Sequence, residues 1–329
     1  MQPPTAQHSA VGGLPALEAV RAARERVGPH IHRTPLLSSR FLGGIHGARV
    51  HLKAENLQRA GAFKIRGALN AMLLARSRGE IGPAGVIAYS SGNHGQAVAL
   101  AAGIIGSPAT IVAPEDIAAV KRRAIEGYGG RVVICGLTSE DRCVEALRLA
   151  RETGAKVIAP YDDPDIIAGQ GTIGLEILED LREVDAILVP VGGGGLISGI
   201  AIAAKALRPR ILIVGVEPDT ADDMRRSLEA GRKVTIPPSR TIADGLRAVT
   251  PGDLTFLAAR QFVDAVWTVG DPAIREAQRE ILERAKLLVE PSGAVAVVAW
   301  REHGQRLRGR SVVLVLSGGN ADPSAVGVS

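Results

Sequence analysis

The chain is poor in three things, and each shortage closes off a class of function. Only two of its 329 residues are cysteines, Cys135 and Cys143. No histidine stands near them at metal-binding spacing, and a secreted disulfide scaffold needs more, so two reduced, partly buried thiols are expected. Aromatics number nine (four Phe, three Tyr, two Trp), and the net charge of +5 is scattered along the chain. Bases would find few stacking platforms, so no nucleic-acid partner is expected. No apolar run approaches the ~18 residues that cross a bilayer. Residues 1–8 carry neither the basic nor the apolar segment of a secretory leader. The expectation is a cytoplasmic protein with no membrane contact.

What is abundant is glycine, 39 residues, in a chain that is 46% hydrophobic and 22% charged. That balance and length suit about two folded domains. Short, largely β-branched runs at 86–89, 109–113, 131–135, 156–159, 186–191, 211–216, 265–269 and 311–316 predict buried strands. Helical patterns at 96–105, 121–128, 141–153, 175–181, 197–207 and 274–288 fall between them. Alternation at that spacing predicts βαβ crossovers and mainly parallel sheets, an α/β fold. Residues 231–247, with Pro237 next to Pro238, read as a long loop. Ligands in such folds bind beyond the carboxyl ends of the strands.

Gly192, Gly193, Gly194 and Gly195 follow one predicted strand and open a predicted helix. Four glycines let the backbone turn its N–H groups toward a ligand at a helix N-terminus, which makes a phosphate cradle. A dinucleotide is one candidate: Gly193 and Gly195 lie in a βαβ unit, and Glu217 ends the next strand, where it would reach a ribose. Against it, Ser198 stands where that fingerprint needs its third glycine. Lys64 offers a different partner for the cradle. Flanked by Phe63 and Ile65, it would be desolvated and its pKa lowered, favouring the neutral amine that Schiff-base formation requires. A reactive lysine with a glycine phosphate loop describes a pyridoxal phosphate site.

With those two features in place, further motifs fall into line: Lys53-Ala-Glu-Asn-Leu-Gln58 before Phe63-Lys64-Ile65-Arg66-Gly67, Ser90-Ser91-Gly92-Asn93-His94-Gly95-Gln96, Ile167-Ala-Gly-Gln-Gly-Thr172 and Leu316-Ser317-Gly318-Gly319-Asn320. Over essentially its whole length the chain resembles the fold-type II pyridoxal phosphate enzymes, in the branch of serine/threonine dehydratases and serine racemase. The resemblance implies a tryptophan synthase β-like pair of domains. A large cofactor-binding domain would span 1–80 and 162–329, and a small mobile domain 81–161. It implies that Lys64 bonds pyridoxal 5'-phosphate, Phe63 packs on its ring, and Asn93 binds its phenolic oxygen. Gly192, Gly193, Gly194 and Gly195 would take the phosphate, and Ser317 would face the ring nitrogen. Ser90, Gly92 and His94 would line the loop receiving the substrate carboxylate. A hydroxyl at 317 cannot force ring protonation as a carboxylate would, so prompt loss of a β-hydroxyl is favoured over a long-lived carbanion.

Three features bear on the subclass. Ser91 matches racemases and 3-hydroxyaspartate dehydratases and would serve as a second proton relay, or else simply cap the following helix. Arg142 matches the racemase-like branch and would hold a second carboxylate, or else be a solvated helix residue. Glu217, the Ala221 carbonyl and Asp223 resemble that branch's divalent-cation site for Mg²⁺, Mn²⁺ or Ca²⁺, while acids after a strand also cap helices. The expectation is elimination of water from L-serine or L-threonine by a homodimer. Serine racemisation or 3-hydroxyaspartate dehydration is the alternative within the family, and a nicotinamide oxidoreductase the remote one.

Overall fold

Among the residues described by the computed structural model (12–90, 92–115, 117, 119–136 and 139–322), the strands gather into two sheets. The strands are β1 (Leu36–Ser38), β2 (Arg49–Ala54), β3 (Val86–Tyr89), β4 (Ala109–Ala113), β5 (Arg131–Ile134), β6 (Lys156–Val157), β7 (Ala186–Pro190), β8 (Leu212–Pro218), β9 (Ala265–Val269) and β10 (Ser311–Leu316). The order β1-β2-β10-β7-β8-β9 makes the larger sheet and β5-β4-β3-β6 the smaller one. Every pairing is parallel except β1 on β2. Central strands β7 and β10 are buried along their whole length, which is why they read as unbroken apolar runs rather than alternating ones.

The eight predicted strands are all present, with β5, β6 and β7 shorter than their apolar runs and β8 longer. Strands β1 and β2 were not expected. In β2 the alternation is broken by Lys53, which is fully buried and ion-paired to Glu176 instead of facing water. The helix foreseen at 175–181 runs from Pro164 to Asp180. Asp163 caps it by accepting from the Asp165 and Ile166 amides, and burial along nearly its whole length removes the amphipathic stripe that would mark its true extent.

Glycines set how this helix meets its neighbours. A Cβ on Gly169 would sit 2.6 Å from Gly67 Cα, and one on Gly199 would sit 2.4 Å from the Ile167 carbonyl oxygen. The helix Lys64–Ser77 and the helix Gly195–Leu207 thus press on adjacent flanks of Pro164–Asp180 at backbone contact distance. Lys64 and the glycine loop each begin one of those outer helices, so this packing fixes one relative to the other. No helix among the described residues is long and apolar enough to cross a membrane.

Candidate active site

The lysine segment is stapled to the end of β10. Phe63 N–H donates to the Ser317 carbonyl at 3.1 Å, Gly319 N–H donates to the Gly61 carbonyl at 2.8 Å, and Ala62 pairs with Gly318 in an isolated bridge. Lys64 then starts its helix with Nζ donating to the Pro160 carbonyl at 2.7 Å and lying 5.2 Å from the Phe63 ring centroid. The residue as a whole is only half-buried, but packing around the amine desolvates it and brings its pKa down to about 8, against the opposing pull of Glu290. Phe63 itself packs on the apolar core beneath the large sheet.

The neighbouring residue, Tyr161, connects this amine to the glycine loop. A Cβ on Gly193 would lie 2.2 Å from Tyr161 Cδ1, and one on Gly195 would lie 3.0 Å from Tyr161 Cβ. Gly194 has φ of +89° and packs on Thr255, while Gly192 faces the Gly245 carbonyl. The loop opens a 13-residue helix whose first amides have no intrahelical partner. Two hydroxyls beside it, Ser198 Oγ and Thr255 Oγ1, are buried without a hydrogen-bond partner. Bare backbone, a helix N-terminus and orphaned hydroxyls form a donor set that suits a phosphate group. Gly193→Ala must displace the Tyr161 ring, at a strain of about 1–3 kcal/mol. The expected result is roughly 5- to 150-fold weaker cofactor binding, read from an absorbance titration.

Asn93 begins the helix Asn93–Ile105 after β3. Its Nδ2 donates to Glu290 Oε1 at 2.5 Å, and its Oδ1 accepts from Asn320 Nδ2 at 2.8 Å. Burial, with Asp244 nearby, raises the Glu290 carboxyl to about 7. Ser317 is buried, its hydroxyl 3.4 Å from the Ser292 carbonyl, with no acid bonded to it. Ser90 and Gly92 form the turn between β3 and the Asn93 helix, the Gly92 amide donating to Ser90 Oγ at 3.3 Å. His94 is buried, its Nε2 at 2.9 Å from the Ile158 carbonyl, and burial with Lys64 nearby lowers its pKa to about 3. The imidazole is therefore neutral and ties this turn to the strand β6 exit.

Ser91 lies outside the described residues. Arg142 stands half-buried on the helix Ser139–Thr153. Glu217, near the end of β8, closes on the start of the next helix, Asp223–Ala230, accepting from the Met224 and Arg225 amides at 3.0 and 2.9 Å, while both carboxylate oxygens of buried Asp223 have no hydrogen-bond partner. Ala221 is buried between them in sequence.

Pro160, Tyr161, Glu290 and Asn320 are site residues that sequence reasoning left without a role. Asp162 and Asp163 offered a signal for Tyr161. Asp162 accepts from the amides of Asp253, Leu254 and Thr255, and Asp163 caps Pro164–Asp180, so the tyrosine is clamped between two helix starts. Glu290 gave none, since an acid before Pro-Ser-Gly reads as an ordinary N-cap.

A family model described as "Pyridoxal-phosphate dependent enzyme" matches residues 27–318. Serine racemase from Arabidopsis thaliana is 45% identical over 309 residues, covering 92% of both chains. L-threo-3-hydroxyaspartate ammonia-lyase from Saccharomyces cerevisiae is 43% identical over 309 residues, covering 94% of both. The solved structure of maize serine racemase is 41% identical with a TM-score of 0.90, over 95% of both chains.

Proposed function

Because the chain belongs to the family of pyridoxal-phosphate dependent enzymes, we propose that it eliminates water from 3-hydroxy amino acids, releasing a 2-keto acid and ammonia. L-Serine and L-threonine are the default substrates. The observation that carries this reading is the desolvated Lys64 amine, held between the Phe63 ring and the Pro160 carbonyl beside the bare loop of Gly193 and Gly195. Family membership also retires the dinucleotide alternative, in which Glu217 held a ribose.

When bound, pyridoxal 5'-phosphate supplies an electron sink conjugated to the substrate α-carbon. Gly192, Gly193, Gly194 and Gly195 hold its phosphate through their amides, and Asn93 holds its phenolic oxygen. Lys64 takes the α-proton, its lowered pKa matching a base that works near neutral pH. Ser317 faces the ring nitrogen with a hydroxyl too weakly acidic to protonate it fully, which favours departure of the β-hydroxyl over racemisation. Ser90, Gly92 and the His94 amide receive the carboxylate. Residues 81–161, which carry the four-stranded sheet, close over the site and exclude water. The enzyme works as a homodimer in the cytoplasm, with neither nucleic acid nor membrane as a partner.

The near-equal similarity to a racemase and a hydroxyaspartate lyase supports a second reading on the same residues. In it Ser91 is the proton relay on the face opposite Lys64, and Arg142 binds the second carboxylate of 3-hydroxyaspartate. The test is incubation of holoenzyme with L-serine, L-threonine and L-threo-3-hydroxyaspartate in turn, resolving keto acid from D-amino acid. Keto acid from serine and threonine supports the elimination reading; D-serine as the main product overturns it.

The proposal includes a divalent cation, Mg²⁺, Mn²⁺ or Ca²⁺. A buried carboxylate with both oxygens unpartnered, Asp223, is the observation that favours it. No group of three or more His, Cys, Asp or Glu able to hold a metal occurs among the described residues, so the Ala221 carbonyl and water must complete the set with Glu217. At a cation concentration 100-fold above its dissociation constant, stabilisation is about 2.7 kcal/mol. A rise in melting temperature with Mg²⁺ or Ca²⁺ is expected in the wild type and absent in Asp223→Asn; an identical rise in both would show the cation binds elsewhere.

A further inference from the structure

Glu290 occupies the N-cap position of the helix Pro291–His303 yet makes no capping hydrogen bond. An acid at that position ordinarily accepts from the second or third amide of its own helix. Here the carboxylate turns away from the helix and into the site. Its Oε1 accepts from Asn93 Nδ2 at 2.5 Å, and the approach is possible only because residue 318 is glycine, where a Cβ would lie 2.4 Å from that same oxygen. The backbone holds it there, with Glu290 N–H donating to the Gly318 carbonyl at 3.0 Å.

The other side of the Asn93 amide is held as firmly. Asn320 donates from Nδ2 both to Asn93 Oδ1 and to the Ala60 carbonyl, each at 2.8 Å. A side-chain amide can be turned end for end at little cost unless its surroundings distinguish oxygen from nitrogen. At Asn93 they do: a donor faces Oδ1 and a carboxylate faces Nδ2. One amide N–H is committed to Glu290, which leaves one for a ligand. Asn320 sits on the segment that carries Ser317 and bonds the Ala60 carbonyl on the lysine segment, and Glu290 is bonded to the Ser317 segment at Gly318, so the clamp is continuous with the lysine anchor.

We infer that Glu290 is a positioning residue which, with Asn320, fixes the rotation of the Asn93 amide so that its remaining N–H is presented to the cofactor. This rests on Asn93 being the cofactor's partner, as proposed above. Glu290 does not touch the reacting atoms; it acts through Asn93.

The experiment titrates pyridoxal 5'-phosphate into apo-protein of the wild type and of Asn93→Ala, Glu290→Ala, Glu290→Gln and Asn320→Ala, following visible absorbance, with thermal unfolding of each apo-protein alongside. Glu290→Ala should bind about 10- to 100-fold more weakly, since it leaves the amide unpinned and its donor unsatisfied. Glu290→Gln, whose Oε1 can still accept from Nδ2, should recover most of that loss, and Asn320→Ala should fall between. Wild-type affinity in Asn93→Ala would overturn the reading of Asn93 itself. Weak binding in Asn93→Ala with wild-type affinity in Glu290→Ala would overturn this inference alone. So would a Glu290→Gln as weak as Glu290→Ala, because the role would then be the charge. Should Glu290→Ala fail to fold, the inference stands only if Asn320→Ala binds more weakly while Glu290→Gln stays near wild type, and it falls otherwise.

Discussion

Lys64→Ala is expected to release keto acid from L-serine at less than about one-thousandth of the wild-type rate, since a positioned base alone contributes roughly 10²–10⁴-fold. The visible band of the lysine-bound cofactor should vanish with it. The size of the effect follows from the two roles proposed for one amine, attachment of the cofactor and transfer of the α-proton. Burial is what equips it for both. At a pKa of about 8 the amine is neutral in about one molecule in ten at pH 7, against roughly one in three thousand for an ordinary lysine. The rate at which apo-protein captures pyridoxal 5'-phosphate should therefore rise with pH and level off above about 8. The same shift has a sign for stability. Between about 8 and 10.5 the unfolded chain holds a proton on Lys64 that the folded chain has lost, so the contribution of Lys64 to stability improves as pH rises across that window. Retained turnover in Lys64→Ala, or a capture rate indifferent to pH, would remove Lys64 from the chemistry.

How much of this was legible beforehand depended on whether a residue's local sequence shared its tertiary environment. The strands β3, β4, β7, β8 and β10 could be read because an apolar, β-branched run is what a strand buried on both faces must be. Strand β2 could not, because Lys53 and His51 look solvated in sequence and only the fold supplies Glu176 to pair with Lys53. The lysine helix Lys64–Ser77 was missed for a related reason: Arg66 and Asn70 interrupt its apolar pattern, yet both are buried and bonded to partners far along the chain. In the site, the glycine loop and Lys64 were legible because their chemistry demands unusual residues in a row. Glu290 and Tyr161 were not. Their functions come from Asn93 and Gly193, which the topology brings to them from about 200 and about 30 residues away.

The buried charges that hid those elements also support the second large effect. Arg66 is fully buried and bidentate on two carboxylates, reaching Glu55 at 2.8 and 2.8 Å and Glu176 at 2.6 and 2.9 Å, with Thr172 Oγ1 at 3.0 Å. Lys53 completes the group, donating to Glu176 at 2.5 Å and to the Thr34 carbonyl at 2.8 Å. Two cations and two carboxylates balance, and although burial alone would disfavour the charge on Arg66, Glu55 and Glu176 outweigh it and hold the guanidinium more firmly protonated than in water. Removing Arg66 leaves one buried carboxylate uncompensated, at a cost of about 3–5 kcal/mol. Against a total stability of roughly 5–15 kcal/mol, that is a large fraction. Arg66→Met is therefore expected to lower the urea midpoint sharply, and Arg66→Lys by less but still clearly, because an ammonium cannot reproduce two bidentate contacts. The decisive variant is the double one. In Arg66→Met with Glu176→Met, Lys53 and Glu55 still balance, so the pair of substitutions should destabilise less than Arg66→Met alone. If the two losses simply add, packing and not charge balance accounts for the effect. Because Arg66 is two residues from Lys64 on the same helix, the single variant that still folds should also bind cofactor more weakly, as the start of that helix loosens.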